Sequence, residues 1–127
     1  SWPVQGTRSV NSHYGNRRHP STGRTSFHTG VDLRAPHGTN VLAAQEGTVI
    51  FSGWQRGYGN TIIIDHGGGI TTLYAHQSRN LVSSGDRVTR GQVIGRSGAT
   101  GTATGAHLHF EVRRNGSHIN PRPFLGY

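Results

Sequence analysis

The sequence contains no cysteine and no methionine, and all thirteen of its basic residues are arginine, without one lysine. Lacking cysteine, it has no disulfide framework, no thiolate metal site and no thiol nucleophile, so any metal must be held by His, Asp or Glu. Lacking lysine, it has no side-chain amine on which a cofactor such as biotin or lipoate is carried, although Gly85, Val88, Gly91-Gln92 and Ile94-Gly95 resemble the hairpins of such carrier domains. Acids are scarce as well. Five Asp and Glu stand against the arginines, and the formal charge is +8, which points to an anionic partner. Nucleic acid is not the expected one, because the arginines are scattered, only Arg17-Arg18 and Arg113-Arg114 are adjacent, and no nucleic-acid motif accompanies them. No apolar run reaches membrane length, and the opening Ser1-Trp2-Pro3 has neither a charged leader nor an apolar core segment. The expectation is a soluble chain without membrane insertion, processed or excised from a longer one.

Leu, Ile, Val and Phe make up about a fifth of the chain, close to the composition at which chains stay disordered, so patterning has to decide. They fall in short β-branched runs separated by turns drawn from 20 glycines, the signature of an all-β protein. Thr48-Val49-Ile50-Phe51 reads as a strand. Thr61-Ile62-Ile63-Ile64 joins Ile70-Thr71-Thr72-Leu73-Tyr74 through a glycine-rich turn as a hairpin. Between Gly85 and Gly95, Val88 and Val93-Ile94 are short strands with sharp corners. Helix signals are nearly absent, and with no repeat or linker the residues 1–127 read as one domain.

The segment Ala106 to Ser117 carries the most information. Leu108, Phe110 and Val112 alternate with His107, His109 and Glu111, and Asn115-Gly116 follows as a type I′ turn signal. In a strand, residues two apart project in parallel, so His107 and His109 reach the same point above the sheet. Spacing leaves open which of them ligates and which acts on substrate. A second cluster, His28-Thr29-Gly30-Val31-Asp32, places His and Asp four apart; Gly30 and Val31 argue for a loop there rather than a helix. Two neutral imidazoles and one carboxylate form a three-ligand set with an open fourth position, the arrangement of a hydrolytic zinc site. His76, in Tyr74-Ala75-His76, is a further candidate for the chemistry. Glu111 is on the histidine face, either orienting a ligating imidazole or pairing with an arginine. His13, His19, His37, His66 and His118 sit in turn-like settings and read as ordinary.

In this order along the chain, Gly15-Asn16-Arg17-Arg18-His19-Pro20, His28 through Leu33, Gly57-Tyr58-Gly59-Asn60, Tyr74-Ala75-His76, Gly91 through Gly95, and Thr104 through Glu111 resemble the lysostaphin-like zinc metallopeptidases, family M23, over nearly the whole length. The resemblance implies a compact antiparallel, barrel-sandwich-like β fold with a groove holding one Zn2+. It implies His28, Asp32 and His109 as ligands, with His107 as general base and His76 stabilising the oxyanion or relaying a proton, two roles that are exchangeable. It places Asn60 at the substrate groove. The implied partner is bacterial peptidoglycan, whose peptide cross-links a monomeric domain would cut while secreted, periplasmic or wall-associated. Members that cut glycine bridges generally carry a Tyr where this chain has Thr22, so direct D-alanyl cross-links to a diamino acid are the expected target. The alternatives are a glycine-bridge endopeptidase and a non-catalytic peptidoglycan-binding activator of amidases.

Overall fold

A computed structural model describes residues 1–127. The strands are β1 (Val10–Ser12), β2 (Gly15–Arg18), β3 (Thr25–His28), β4 (Val31–Leu33), β5 (Asn40–Leu42), β6 (Gly47–Gln55), β7 (Gly59–Gly67), β8 (Ile70–Asn80), β9 (Arg87–Val88), β10 (Val93–Ser97), β11 (Leu108–Arg114) and β12 (Ser117–Ile119). One short helix, α1 (Arg122–Leu125), closes the chain. The fold is all-β as expected.

Hydrogen bonding orders one sheet as β1-β4-β11-β8-β7-β6-β9, every pairing antiparallel, with β12 beside β11 and β10 bridging β5 and β8. A separate hairpin, β2–β3, stands apart from it. The expected hairpin is β7–β8, with the expected strand β6 paired to β7 on its other side, and Asn115 and Gly116 both take the positive φ that a type I′ turn demands, 50° and 84°. The alternation that marks the strands also sorts the two faces of the sheet. Val31 and Leu33 from β4, Ile62 and Ile64 from β7, Tyr74 from β8, and Leu108, Phe110 and Val112 from β11 are fully buried in one apolar cluster. Burying side chains of that size is worth roughly 1.5–3 kcal/mol each. The opposite face of β4, β8 and β11 is thereby free to carry polar groups.

One polar chain runs through the core. The Ala44 N–H donates to the Tyr74 hydroxyl at 3.0 Å, and that hydroxyl lies 2.7 Å from Thr72 Oγ1. Thr72 Oγ1 is in turn 2.7 Å from His66 Nε2, while His66 Nδ1 lies 2.7 Å from the Glu46 carbonyl. A carbonyl only accepts, so His66 carries its proton on Nδ1 and Nε2 accepts from Thr72, which accepts from Tyr74. A second proton on His66 would reverse the chain and leave the buried tyrosine hydroxyl without an acceptor. Burial pushes the Tyr74 phenol up to about 12. Burial also lowers the His66 pKa, against the bond to Glu46, which raises it. A histidine with a depressed folded pKa contributes stability that is complete above its unfolded value near 6.5 and lost as pH falls through the folded value. Thermal melts across pH 7.5 to 5 should therefore show a smaller acid loss for His66→Gln than for the wild type; equal losses would refute this role.

Candidate metal centre

Cross-strand pairing assembles the centre on the polar face. β4 and β11 pair so that His109 sits directly opposite Asp32, and on its other side His109 faces the small Ala75 of β8. His28 ends β3, and only Thr29 and Gly30 separate it from β4. The expected loop is thus a two-residue turn, and both His28 and Asp32 lie on strands, because β4 is recruited to the sheet by pairing with β1 and β11. Gly30 is required at this turn. A Cβ there would run into the Phe110 carbonyl and lie 2.8 Å from Glu111 Cγ and 3.0 Å from His109 Cε1.

Three imidazoles converge on one carboxylate oxygen. Asp32 Oδ1 lies 3.2 Å from His28 Nε2, 2.9 Å from His109 Nδ1 and 3.5 Å from His107 Nε2. The His28, Asp32 and His109 ligand atoms all lie within 4.8 Å of one another, a grouping that suits a metal ion. Each ring is oriented by the nitrogen that faces away. His28 Nδ1 meets the His13 carbonyl at 2.9 Å, His76 Nδ1 the Thr100 carbonyl at 2.7 Å and His107 Nδ1 the Gly105 carbonyl at 2.9 Å. Because carbonyls only accept, these three rings carry a proton on Nδ1 and leave Nε2 for the groove. His109 is held the other way round. Its Nε2 lies 2.8 Å from Glu111 Oε2, so its Nδ1 faces Asp32.

Glu111 is fully buried and both readings of it hold. Its Oε2 also accepts from Tyr58 at 2.6 Å and Thr29 at 2.9 Å, and its Oε1 accepts from Arg113 Nε and Nη2 at 2.9 and 2.8 Å. Burial pushes its carboxyl up, but the bonds from His109 and Tyr58 and the Arg113 charge bring it down to about 2. Burial likewise opposes ionisation of Asp32, yet hydrogen bonds from His107, His109 and His28 hold it far below the usual carboxylate range. His107 is raised chiefly by its bond to Asp32, against burial. His109, pushed down by burial, is carried up on balance by Asp32 and Glu111. His76 differs: burial lowers its pKa, the Thr100 bond opposes that, and its neighbours His107 and His109 repel a further charge.

The His76 and His107 rings stand 5.0 Å apart, centre to centre, and both line an open cavity of about 470 Å³ together with the three candidate ligands. Other lining residues were not singled out as site residues in the sequence, among them Arg17, Arg56, Tyr58 and Thr102. Tyr58 had a signal, since Gly57 and Gly59 flank it at the tip of the β6–β7 hairpin. Gly59 there has φ 71°, and a Cβ on it would strike the Thr100 backbone. Asn60 is not part of the lining. Its amide donates to the Gln77 carbonyl at 3.1 Å, and its N–H to Thr100 Oγ1 at 3.1 Å. These bonds brace the wall of the groove at which the resemblance places it.

Comparison with known proteins fits this geometry. The model of peptidase family M23 matches residues 26–121. The DD-carboxypeptidase/endopeptidase Mpg of Neisseria meningitidis is 45% identical over 119 residues, which is 94% of this chain and 27% of that protein. A zinc-containing peptidase from Vibrio cholerae superposes with a TM-score of 0.86 at 38% identity, covering 94% of this chain and 37% of that one. The catalytic domain of the antimicrobial peptidase lysostaphin from Staphylococcus simulans gives a TM-score of 0.83 at 35% identity, covering 94% and 92%. The chain spans about a quarter of the length of the curated relatives it matches.

Proposed function

The chain belongs to peptidase family M23, and from that premise we propose that it is a single catalytic domain of a zinc-dependent endopeptidase that hydrolyses D,D-type peptide cross-links of bacterial peptidoglycan. The carrying observation is the convergence of His28 Nε2, His109 Nδ1 and His107 Nε2 on Asp32 Oδ1 at the floor of an open groove. Two imidazole nitrogens and one carboxylate oxygen are zinc's donor set, with a position left for reactants. His28, Asp32 and His109 hold the ion. When bound, zinc supplies a Lewis acid that polarises an amide carbonyl and makes water a nucleophile near neutral pH.

The remaining chemistry falls to residues the chain keeps free of ligand duty. His107, with its proton on Nδ1 fixed by Gly105, presents Nε2 toward the ligand set and takes a proton from the attacking water, then returns it to the leaving amine. His76, its proton held on Nδ1 by Thr100, presents a bare Nε2 to the groove and relays a proton there, accepting it first and only then donating it to the oxygen on which charge develops. The presence of all five side chains supports catalysis over an activator role, which needs no such set. The domain acts as a monomer outside the cytoplasm, in the periplasm or wall where its polymer lies.

The deciding experiment is mass spectrometry of fragments released from defined peptidoglycans, with and without a zinc chelator. New free D-alanine carboxyl ends that vanish with chelator are the expected result. New glycine ends would replace the substrate class, and no chelator-sensitive cleavage of any wall would overturn the enzymatic reading.

A further inference from the structure

The groove holds more positive charge than its chemistry uses. Of the five acids, Glu46 pairs with Arg87, Glu111 with Arg113 and His109, Asp65 accepts from the Gly67 N–H and Asp86 from the Ser83 N–H. Asp32 alone lines the cavity, and it is surrounded by imidazoles. Two guanidinium groups line the same cavity, Arg17 from β2 and Arg56 from the β6–β7 turn, and Arg56 has no acidic partner. A groove so charged selects an anionic ligand.

Arg17 is placed to read one particular anion. Its Nη1 donates to Ser12 Oγ at 2.8 Å, which anchors the head group, and lies 3.9 Å from Asp32 Oδ2. That oxygen is the one the imidazoles do not share, since all three meet Oδ1. The guanidinium therefore reaches the edge of the ligand set while its side chain stays 44% exposed, with most of its donors free. A cation on Asp32 would take up that carboxylate's charge and release Arg17 to another. An amide bond is short. A carboxylate on the carbon that carries the scissile nitrogen lies only about 4 Å from the reacting carbonyl carbon by bond geometry.

We propose that Arg17 is a specificity-determining residue that pairs with a carboxylate on the carbon bearing the scissile nitrogen. The amine half of the preferred substrate is then a diamino dicarboxylic acid. Lysine and glycine, joined through amines whose carbons bear no carboxylate, give Arg17 nothing to bind. This inference rests on the endopeptidase reading above and deepens it.

The test uses two synthetic cross-linked dimers that differ only beside the scissile amide, one with a carboxylate there and the other with a carboxamide. A charge-assisted contact of this kind sets the wild-type ratio of kcat/KM, carboxylate over carboxamide, at about 10- to 100-fold. In Arg17→Gln the ratio should fall to about 1, and Arg17→Lys should keep part of it, as a point charge without the planar fork. Titration calorimetry with the isolated amine-half peptide gives a readout without turnover: the carboxylate form should lose affinity in Arg17→Gln by a similar factor while zinc content stays the same. A ratio of 1 in the wild type, or a ratio unchanged in Arg17→Gln, overturns the role of Arg17 and leaves the endopeptidase reading standing. Cleavage of neither dimer by the zinc-loaded wild type overturns both.

Discussion

Asp32→Ala should abolish zinc retention and hydrolysis together. This carboxylate is the one point at which His28, His107 and His109 meet, at 3.2, 3.5 and 2.9 Å. Without it the ligand set falls to two nitrogens, and the rings face one another with no opposing charge. Removing a partner that only supports a ligand lowers metal affinity about 10- to 100-fold, and removing a ligand must cost more. Asp32→Asn keeps the shape and should fail nearly as badly, because the amide brings no charge. Zinc content by atomic emission after dialysis, beside the rate on cross-linked wall, checks this. The apolar core lies on the far face of the sheet, so the variant should still melt cooperatively. A variant that kept one zinc per chain would remove Asp32 from the ligand set.

His107→Ala should separate what Asp32→Ala joins. The ring lines the groove and contacts Asp32 at the longest of the three distances, and no other side chain is positioned by it. Zinc should therefore remain at one per chain. Loss of a general base costs about 100- to 10,000-fold in rate, and the loss should fall on kcat with little change in KM, since proton transfer rather than binding is removed. Near-wild-type kcat would move the base to His76. A parallel fall in zinc content would make His107 a ligand.

Period two made much of this site legible. Leu108, Phe110 and Val112 had to share a buried face, so His107, His109 and Glu111 had to share the other, and the structure places them there. The β7–β8 hairpin was read from β-branched runs around glycines for the same reason. The partners that orient each ring were not legible, since the carbonyls of His13, Thr100 and Gly105 exist at every residue and only the folded backbone selects them. Tyr58 and Thr29 meet Glu111 across 53 and 82 residues of sequence, a distance no local pattern spans. The bonds that Asn60 makes to Gln77 and Thr100 were not legible either, because a resemblance in sequence marks a recurrent residue without saying which way it points. The short turn between His28 and Asp32 escaped because β4 has only three residues and owes its form to its neighbours in the sheet.

His76 occupies a backbone conformation that histidine seldom adopts, with φ at 62° in the middle of β8. Up to Ala75, β8 pairs with β11; from Gln77 onward it pairs with β10, and the pairing with β7 skips a step at the same place. The odd residue at this bulge is what aims the imidazole into the cleft between the two partners, with its N–H satisfied by the Tyr58 carbonyl at 2.7 Å. Glycine would adopt this conformation without the steric penalty, and asparagine more readily than most residues. A lineage released from catalysis would therefore gain robustness by drifting to either residue here.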